Sequence, residues 1–260
     1  MQNKIAIVTG GSRGIGLPIA KGLQELGYLV AVIHKHDVGT VSSGVPSYIP
    51  SDLEFIGDVG SDSDVQTFFN KVKEFAAEKK ATINVLVNNA GVASAKKFLD
   101  LQDFDFEDMF HTNVIGAFLM SREFAKACEQ GTNKEIKSHI VNISSVSGLQ
   151  GFSGHAHYCA SKFGLIGMGQ VAAKELSKIG IAVNTICPGP TQTDMWTKLD
   201  KEYKDNGFMP EEANEDDYSK KLLIKRMGKG EDVAEAVLFL INQSYITGVA
   251  LPVCGGNILR

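Results

Sequence analysis

The sequence predicts an α/β protein with one doubly wound parallel sheet and helices on both faces of that sheet. Short apolar segments rich in β-branched residues alternate along the chain with longer segments of helical period. The short segments are apolar throughout, which is typical of strands that are covered on both faces. Alternating strands and helices favour parallel strands joined by right-handed crossovers. No repeat or linker interrupts the pattern, so we expect a single domain over residues 1–260.

Seven strands and five helices are predicted from this alternation. The strands are expected at Lys4–Thr9, Tyr28–Ile33, Leu53–Gly57, Ile83–Asn88, His139–Ser144, Ala182–Cys187 and Val249–Val253. The helices are expected near Gly14–Leu26, Asp62–Lys80, Phe104–Gln130, Tyr158–Lys178 and Asp232–Asn242.

Two segments depart from the alternation. The residues between Ile33 and Leu53 are rich in Gly, Pro and Ser, which favours a loop or a single turn. The segment Pro190–Met227 is charged and too long for an ordinary connection between elements. We expect this second segment to be a lid or a binding loop over a site.

Composition narrows the class of protein. The formal net charge of −4 gives no support for a nucleic-acid or anionic-membrane partner. The four cysteines lack metal-ligand spacing, so we expect reduced thiols and no metal site. The longest apolar stretches, such as Val237–Ile241, are far shorter than the ~20 residues that a membrane span requires. Since no secretory or transit pattern precedes the first strand, we expect a cytoplasmic protein.

A glycine-rich turn follows the first strand. It reads Gly10-Gly11-Ser12-Arg13-Gly14-Ile15-Gly16. Glycines permit positive φ and let a pyrophosphate approach the backbone, while the N–H groups and dipole of the next helix favour the anion. With a strand before it and a helix after it, the turn indicates a Rossmann-type dinucleotide-binding unit. A bare connection between elements is the alternative interpretation of this turn taken alone.

Further motifs follow at the ends of later strands. They are Asn88-Asn89-Ala90-Gly91 after the fourth strand, Ser144-Ser145-Val146-Ser147-Gly148 after the fifth, Tyr158-Cys159-Ala160-Ser161-Lys162 on the next helix, and Pro188-Gly189-Pro190-Thr191 after the sixth strand, with Thr193 beyond it. Ser145 precedes Tyr158 by thirteen residues, and Asn113 lies in a predicted helix. With the spacing of the glycine turn, this ordered set resembles the short-chain dehydrogenase/reductase family from Lys4 to Gly256.

The acid–base chemistry of Tyr158 and Lys162 can be argued from the residues alone, independently of the family resemblance. The two residues are one helical turn apart on one face. An isolated tyrosine titrates near ~10, and a nearby ammonium is expected to lower that value. Tyr158 can then give a proton to a carbonyl oxygen that receives hydride, or take one from an alcohol. Ser145 would hydrogen-bond the same oxygen. Taken singly, each residue has a plainer interpretation as a packing, capping or solvated side chain.

The resemblance implies roles for these residues. It makes Asn113, Ser145, Tyr158 and Lys162 the catalytic set, with Lys162 also holding the nicotinamide ribose and Asn113 in a water-linked proton relay. It implies cofactor contacts at Gly10, Ser12, Arg13, Gly14, Ile15, Gly16, His34, Lys35, Asp58, Val59, Asn89, Ala90, Gly91, Tyr158, Lys162, Pro188, Gly189, Thr191 and Thr193. A dinucleotide-binding half is expected at about 1–130, a catalytic and substrate half at about 131–260, and a lid at about 190–227.

The end of the second strand bears on the choice of cofactor. NAD-selective sheets usually carry an acid there, which binds both ribose hydroxyls. Eighteen residues after Gly16 this chain has His34, followed by Lys35, and Arg13 projects from the glycine turn. A basic residue in the glycine turn, Arg13, and another just past the second strand, Lys35, resemble the NADP-selective branch of the family, in which such residues bind the 2′-phosphate. We therefore expect NADP(H). NAD(H) is the alternative, because Asp37 is close enough to compete as a ribose ligand.

The resemblance is greatest to 3-oxoacyl-acyl-carrier-protein reductases and microbial carbonyl reductases. We therefore expect NADP(H)-dependent reduction of a ketone or 3-oxoacyl carbonyl to a secondary alcohol. The alternatives are an NAD-linked diol, polyol or steroid dehydrogenase and, more remotely, a non-catalytic dinucleotide-binding regulator. An apolar pocket is expected from Met195, Trp196, Leu199, Met209, Val146, Leu149, Gln150 and Phe152. Carrier proteins are acidic and need a basic docking patch. The candidate lysines for that patch, with ordinary solvated lysines as the alternative interpretation, are Lys134, Lys137, Lys174 and Lys178.

Two long helices carry more apolar side chains than one buried face needs. The residues concerned are Phe110, Phe118, Phe124, Phe163, Leu165 and Met168. The family covers such a surface with the equivalent helices of a neighbour, and the strand near Val249–Val253 makes a second contact. The resemblance therefore implies a homotetramer with dihedral symmetry, or failing that a dimer.

Overall fold

A seven-stranded parallel sheet organises the computed structural model, which describes residues 2–35 and 51–259. The strands are β1 Asn3–Thr9, β2 Leu29–His34, β3 Leu53–Ile56, β4 Ala81–Asn88, β5 Ser138–Ile143, β6 Ile181–Pro188 and β7 Ala250–Val253. Their order across the sheet is β3-β2-β1-β4-β5-β6-β7. The order reverses between β1 and β4, so a crevice opens where the carboxyl ends of the central strands diverge. The predicted doubly wound sheet is confirmed.

Helices cover both faces of this sheet. They are α1 Gly16–Glu25, α2 Asp62–Lys79, α3 Asp103–Phe110, α4 Ala117–Ala127, α5 Ala156–Leu176, α6 Asp194–Asp205, α7 Glu215–Ser219 and α8 Gly230–Ile241. Ile5 and Ile7 of β1 face a core shared with Phe68 of α2 and Phe124 of α4. The intervening residues of β1 face a second core, shared with α1 and α8. Because alternate side chains of a strand enter different cores, the strands are apolar throughout.

The helix predicted at Phe104–Gln130 is wrong as a single element. A π-helical turn at His111–Gly116 separates α3 from α4, and α4 ends at Ala127 because Cys128 has extended backbone. The π turn coincides with Asn113, which is only 1% exposed and bonds to the neighbouring strand end. Such turns within α-helices are frequent at functional sites. The sequence pattern did not show this interruption.

Of the two segments that depart from the predicted alternation, the structure describes mainly the second. The loop predicted between Ile33 and Leu53 lies mainly at 36–50, outside the described residues. The segment Pro190–Met227 contains α6 and α7, and it buries Leu199, Leu222 and Met227. It is therefore partly helical and anchored by a few apolar side chains.

In the described ranges, no helix combines the length and the apolar character needed to cross a membrane. Cys128, Cys159, Cys187 and Cys254 are free thiols.

Candidate active site

A cleft of about 810 Å³ follows the carboxyl ends of β1, β2, β4, β5 and β6. Ser145, Tyr158 and Lys162 line it, as does every predicted cofactor contact except Gly16. Asn113 does not line the cleft either, because it lies behind the loop that follows β4. The topology therefore brings residues far apart in the chain to one edge of the sheet.

The glycine turn is shaped by close backbone contacts. Gly10 has φ 63°, which favours glycine. A Cβ on Gly16 would lie 2.2 Å from the carbonyl oxygen of Gly10 and 2.5 Å from Nδ2 of Asn89. Gly16 is therefore needed for the turn to close on itself, and it is the one predicted cofactor contact that does not line the cleft. The turn leaves the amino end of α1 facing the cleft, a position suited to a pyrophosphate.

Thr9 and Asn89 join the glycine turn to the end of β4. The Thr9 hydroxyl, which is 2% exposed, accepts hydrogen bonds from the backbone N–H groups of Asn89 (2.9 Å) and Ala90 (2.8 Å). The Asn89 side-chain amide donates to the carbonyl oxygens of Thr9 (3.0 Å) and Gly10 (3.1 Å). The Asn89 amide thus braces the turn. Thr9 was not among the predicted site residues, and its signal in the sequence is its place at the end of β1, directly before the glycines.

His34, a predicted cofactor contact, lines the cleft, and its ring also has a partner within the sheet. The ring is buried, and its Nε2 lies 2.8 Å from Oε1 of Glu54 on the adjacent β3. Lys35 is exposed, and its Nζ lies 2.9 Å from Oδ2 of Asp58, which also faces His111 at 3.3 Å. His34 and Lys35 both line the cleft, and the His34 imidazole is in addition bonded within the sheet. Asp37, the predicted competitor, lies outside the described residues.

Arg13 is exposed on the glycine turn and lines the same end of the cleft as Lys35. Two basic side chains therefore stand where the sequence predicted them.

Tyr158, Ser145 and Lys162 are buried together at the carboxyl edge of the sheet. Tyr158 lies in the first turn of α5, Ser145 follows β5, and all three are at most 9% exposed. The Lys162 ammonium donates to the carbonyl oxygen of Ile143 at 3.0 Å and lies 5.7 Å from the centre of the Tyr158 ring. The Ser145 hydroxyl accepts from the backbone N–H of Ser147 at 3.1 Å. These contacts fix the Lys162 ammonium and the Ser145 hydroxyl beside Tyr158.

The expected lowering of the tyrosine pKa by Lys162 is not found in the structure. Burial raises the pKa of Tyr158 to about 12, and the nearby Ser145 hydroxyl opposes the rise only in part. Burial lowers the pKa of Lys162 to about 8. Desolvation outweighs the attraction between the two groups, since it disfavours both charged forms. Near neutral pH, Tyr158 is therefore a neutral phenol that can donate a proton.

Asn113 connects three parts of the site. Its Oδ1 accepts from the backbone N–H of Val92 (2.9 Å), and its Nδ2 donates to the Val92 carbonyl oxygen (2.9 Å) and to Oγ of Ser161 (3.0 Å). A Cβ on Gly91 would lie 3.2 Å from Oδ1 of Asn113 and 3.5 Å from Nζ of Lys162. Asn113 thus holds the loop after β4 against α5. The solvated asparagine, considered above as a plainer interpretation, does not fit this burial.

The histidines flanking Tyr158 are engaged elsewhere. Burial lowers the pKa of His155 to about 4, and its ring contacts Tyr203 of α6. His157 is fully buried, and its Nε2 lies 2.7 Å from Oγ of Ser94. Burial also lowers the pKa of His157, so neither ring carries charge near neutral pH.

The far wall of the cleft is formed by the segment that contains α6 and α7. Met195, Trp196, Leu199 and Met209 line it as predicted, and Tyr203, Phe208 and Tyr218 were missed. Of the predicted upper pocket, Val146 and Phe152 line the cleft. Leu149 and Gln150 do not, since Leu149 packs in a core cluster with Cys187 and Ile166. The missed aromatics belong to no local motif, because tertiary packing of this segment decides which of its side chains face the cleft.

The fold and the cleft at the carboxyl edge of its sheet are those of a dinucleotide-binding oxidoreductase. The family model described as short chain dehydrogenase matches residues 4–204. The chain is 33% identical over 255 residues to a 3-oxoacyl-[acyl-carrier-protein] reductase of Bos taurus, covering 98% of both chains. It is 32% identical over 257 residues to an L-2,3-butanediol dehydrogenase of Corynebacterium glutamicum, again covering 98% of both.

A solved structure of a variant actinorhodin polyketide ketoreductase with NADPH has a TM-score of 0.86 and 32% identity, covering 99% of both chains. The present chain belongs to the short-chain dehydrogenase/reductase family and is an oxidoreductase of that family.

Replacing Thr9 by Val removes the hydroxyl that accepts two backbone N–H groups and keeps the side-chain shape. We expect the free energy of unfolding to fall by about 1–3 kcal/mol, because buried donors lose their acceptor. Thr9→Ser is the matched control and should retain most of the stability. Denaturant unfolding of the three proteins measures this effect, and equal stability of the Val and Ser variants would contradict the bracing role.

Proposed function

We propose that this protein is an NADP(H)-dependent reductase that converts a ketone or 3-oxoacyl carbonyl to a secondary alcohol, with Tyr158 as the general acid. The observation that carries the proposal is the buried, neutral Tyr158 phenol beside Ser145 and Lys162, at the cleft edge of the sheet. A neutral phenol suits the reductive direction, in which the carbonyl oxygen must gain a proton.

The residues of the cleft fit a dinucleotide, since Gly10 and Gly14 of the glycine turn, both at positive φ, line it near the amino end of α1 and Gly91 of the loop after β4 lines it as well. The reduced nicotinamide supplies hydride when bound. The hydroxyls of Ser145 and Tyr158 bind the substrate carbonyl oxygen and polarise the C=O bond. Tyr158 donates its proton to that oxygen as the carbon gains hydride, which yields the alcohol and leaves a phenolate. The Lys162 ammonium stabilises the phenolate until a proton from solvent restores the phenol.

Arg13 and Lys35 support the choice of NADP(H). Both are exposed cations on the cleft, one on the glycine turn and one directly after β2. A 2′-phosphate at this end of the cleft would gain charge-assisted hydrogen bonds from them. Lys35 already has an anionic partner in Asp58, and a phosphate would compete for the same ammonium. The NADPH bound to the ketoreductase relative supports the same choice.

The apolar wall of the cleft supports a medium-sized ketone or oxoacyl substrate. The resemblance to 3-oxoacyl and polyketide reductases agrees with that class. The similarity to an L-2,3-butanediol dehydrogenase favours a second candidate, oxidation of a vicinal diol. A non-catalytic regulator is disfavoured, because Asn113, Ser145, Tyr158 and Lys162 are all present and clustered.

The segment Pro190–Met227 is proposed to act as a lid, because its helix α6 brings Met195, Trp196 and Leu199 onto the cleft. We further propose a cytoplasmic homotetramer. Ile115, Phe118, Phe163 and Val171 on α4, α5 and the π turn remain 46–54% exposed, which leaves apolar surface for a neighbouring subunit. Phe124 and Leu165, which the sequence assigned to this excess, are instead buried in the protomer.

Tyr158→Phe removes the donated proton and leaves the ring. We expect the rate of NADPH-dependent ketone reduction to fall by about 10²–10⁴, the usual value of general acid catalysis. Binding of NADPH, followed by fluorescence titration, should change less than about threefold. Retention of more than a tenth of the activity would show that another group supplies the proton.

Substitution at Arg13 and Lys35 should change cofactor choice. For Lys35→Ala and Arg13→Ala we expect Kd for NADPH to rise by about tenfold or more, because each loses a charge-assisted hydrogen bond. Kd for NADH should change little in the same variants, and Lys21→Ala on the exposed side of α1 serves as the control. An equal loss for both cofactors would mean that these side chains do not contact the 2′-phosphate.

A further inference from the structure

A hydrogen-bonded pair joins the start of α5 to the lid segment at the substrate end of the cleft. His155 immediately precedes α5, and Tyr203 belongs to α6. The Tyr203 hydroxyl oxygen lies 2.9 Å from Nε2 and 3.3 Å from Nδ1 of His155. Both residues line the cleft that contains Tyr158.

The His155 ring contacts both tyrosine rings. Its centre is 5.2 Å from that of Tyr158 and 5.1 Å from that of Tyr203. Tyr203 also packs against the apolar cluster formed around Tyr158 and Leu199. The His155 ring thus lies between Tyr158 and Tyr203, which places the Tyr203 hydroxyl near the proposed reaction centre.

The pair is uncharged near neutral pH. Burial lowers the pKa of His155 to about 4. Burial, and to a lesser extent Tyr218 and Tyr158, raises the pKa of Tyr203 above its usual value. A neutral imidazole has one N–H and one free nitrogen, and a phenol has one O–H. When the imidazole donates to the phenolic oxygen, the O–H of Tyr203 is left to donate to a ligand.

A purely structural role, fastening α6 to the body of the protein, is already filled by other residues. Glu202 accepts from the backbone N–H of Ala95 at 2.7 Å, and Asn206 donates to the Ala95 carbonyl oxygen at 3.3 Å. The other tyrosine of the segment, Tyr218, donates its hydroxyl hydrogen to Oδ1 of Asp200 at 3.0 Å. Asp200 can only accept, so the hydroxyl hydrogen of Tyr218 is used, whereas His155 can donate to Tyr203 in one of its two tautomers and so leave the Tyr203 hydrogen for a ligand.

We propose that Tyr203, oriented by His155, determines specificity by donating a hydrogen bond to the second oxygen of a 1,3-dicarbonyl substrate. Ser145 and Tyr158 hold the oxygen that is reduced, as in the proposed function on which this inference rests. Phe208 and Leu199 provide the apolar surroundings in which such a bond discriminates between substrates. Simple ketones enter the same cleft without this bond.

The test compares two substrates of matched length, ethyl acetoacetate and methyl pentyl ketone, in NADPH-dependent reduction. For Tyr203→Phe, which keeps the ring, we expect kcat/KM for ethyl acetoacetate to fall about five- to tenfold and that for methyl pentyl ketone to fall less than twofold. His155→Phe should shift the ratio in the same direction, because it removes the orienting nitrogen. In Tyr245→Phe, the matched control at a fully exposed tyrosine that does not line the cleft, the ratio of the two kcat/KM values should stay at the wild-type value.

An equal loss on both substrates in Tyr203→Phe would overturn the inference and assign Tyr203 to the structure of the lid. An unchanged ratio with full activity would overturn it as well. Failure of the proposed function is a distinct result, since the wild-type protein would then reduce neither substrate with NADPH.

Discussion

Desolvation at the carboxyl edge of the sheet is the constraint on which the site depends. Tyr158 and Lys162 are removed from water by the loop after β4, by the turn after β5 and by α5. Their burial shifts both pKa values toward the uncharged forms, to about 12 and about 8. The Tyr158 phenol therefore keeps its proton near neutral pH, and the Lys162 ammonium has a pKa only slightly above neutral. The same burial thus favours Tyr158 as a proton donor and places Lys162 where it can stabilise the phenolate.

Such burial makes it costly to leave neighbouring polar groups without partners, although Oδ1 of Asn88 has none among the described residues. Within the described residues, the end of β4 supplies several of them. Asn88 donates to Oδ1 of Asn142 on β5 at 2.9 Å and to Oγ of Ser121 on α4 at 2.9 Å. Asn89 braces the glycine turn, and Asn113 holds the next loop. These amides connect the nucleotide end of the cleft to the catalytic end, because unsatisfied polar groups would be costly at this depth.

Much of the fold could be predicted from the sequence, because its signals are local. Strand runs such as those of β1 and β6 are apolar throughout, and the motifs stand at their ends. The cluster of Ser145, Tyr158 and Lys162 follows from the same logic, since parallel strands bring their carboxyl ends to one edge. The π turn at Asn113 could not be predicted, because it results from tertiary bonds to Val92 and Ser161.

Other features depend on which way a side chain points after folding. His34, predicted as a cofactor contact, lines the cleft, and its ring bonds to Glu54 on the neighbouring strand, a contact that the sequence did not show. Lys162 was expected to dominate the pKa of Tyr158, whereas burial does. Tyr203 gave no signal in sequence, because its partner His155 is distant in the chain and joins it only when α6 closes on α5.

The central claim is that burial keeps Tyr158 protonated and gives Lys162 the titration that limits activity. The direct measurement is the pH dependence of kcat/KM for NADPH in ketone reduction, which reports ionisations of the free enzyme. Reduction needs the phenol and the ammonium, and both are protonated at low pH. The account predicts a level profile through neutral pH and a fall as pH rises through about 8, where the Lys162 ammonium loses its proton. A profile that rises between neutral pH and about 9 would mean that a phenolate is the active form, and would contradict it.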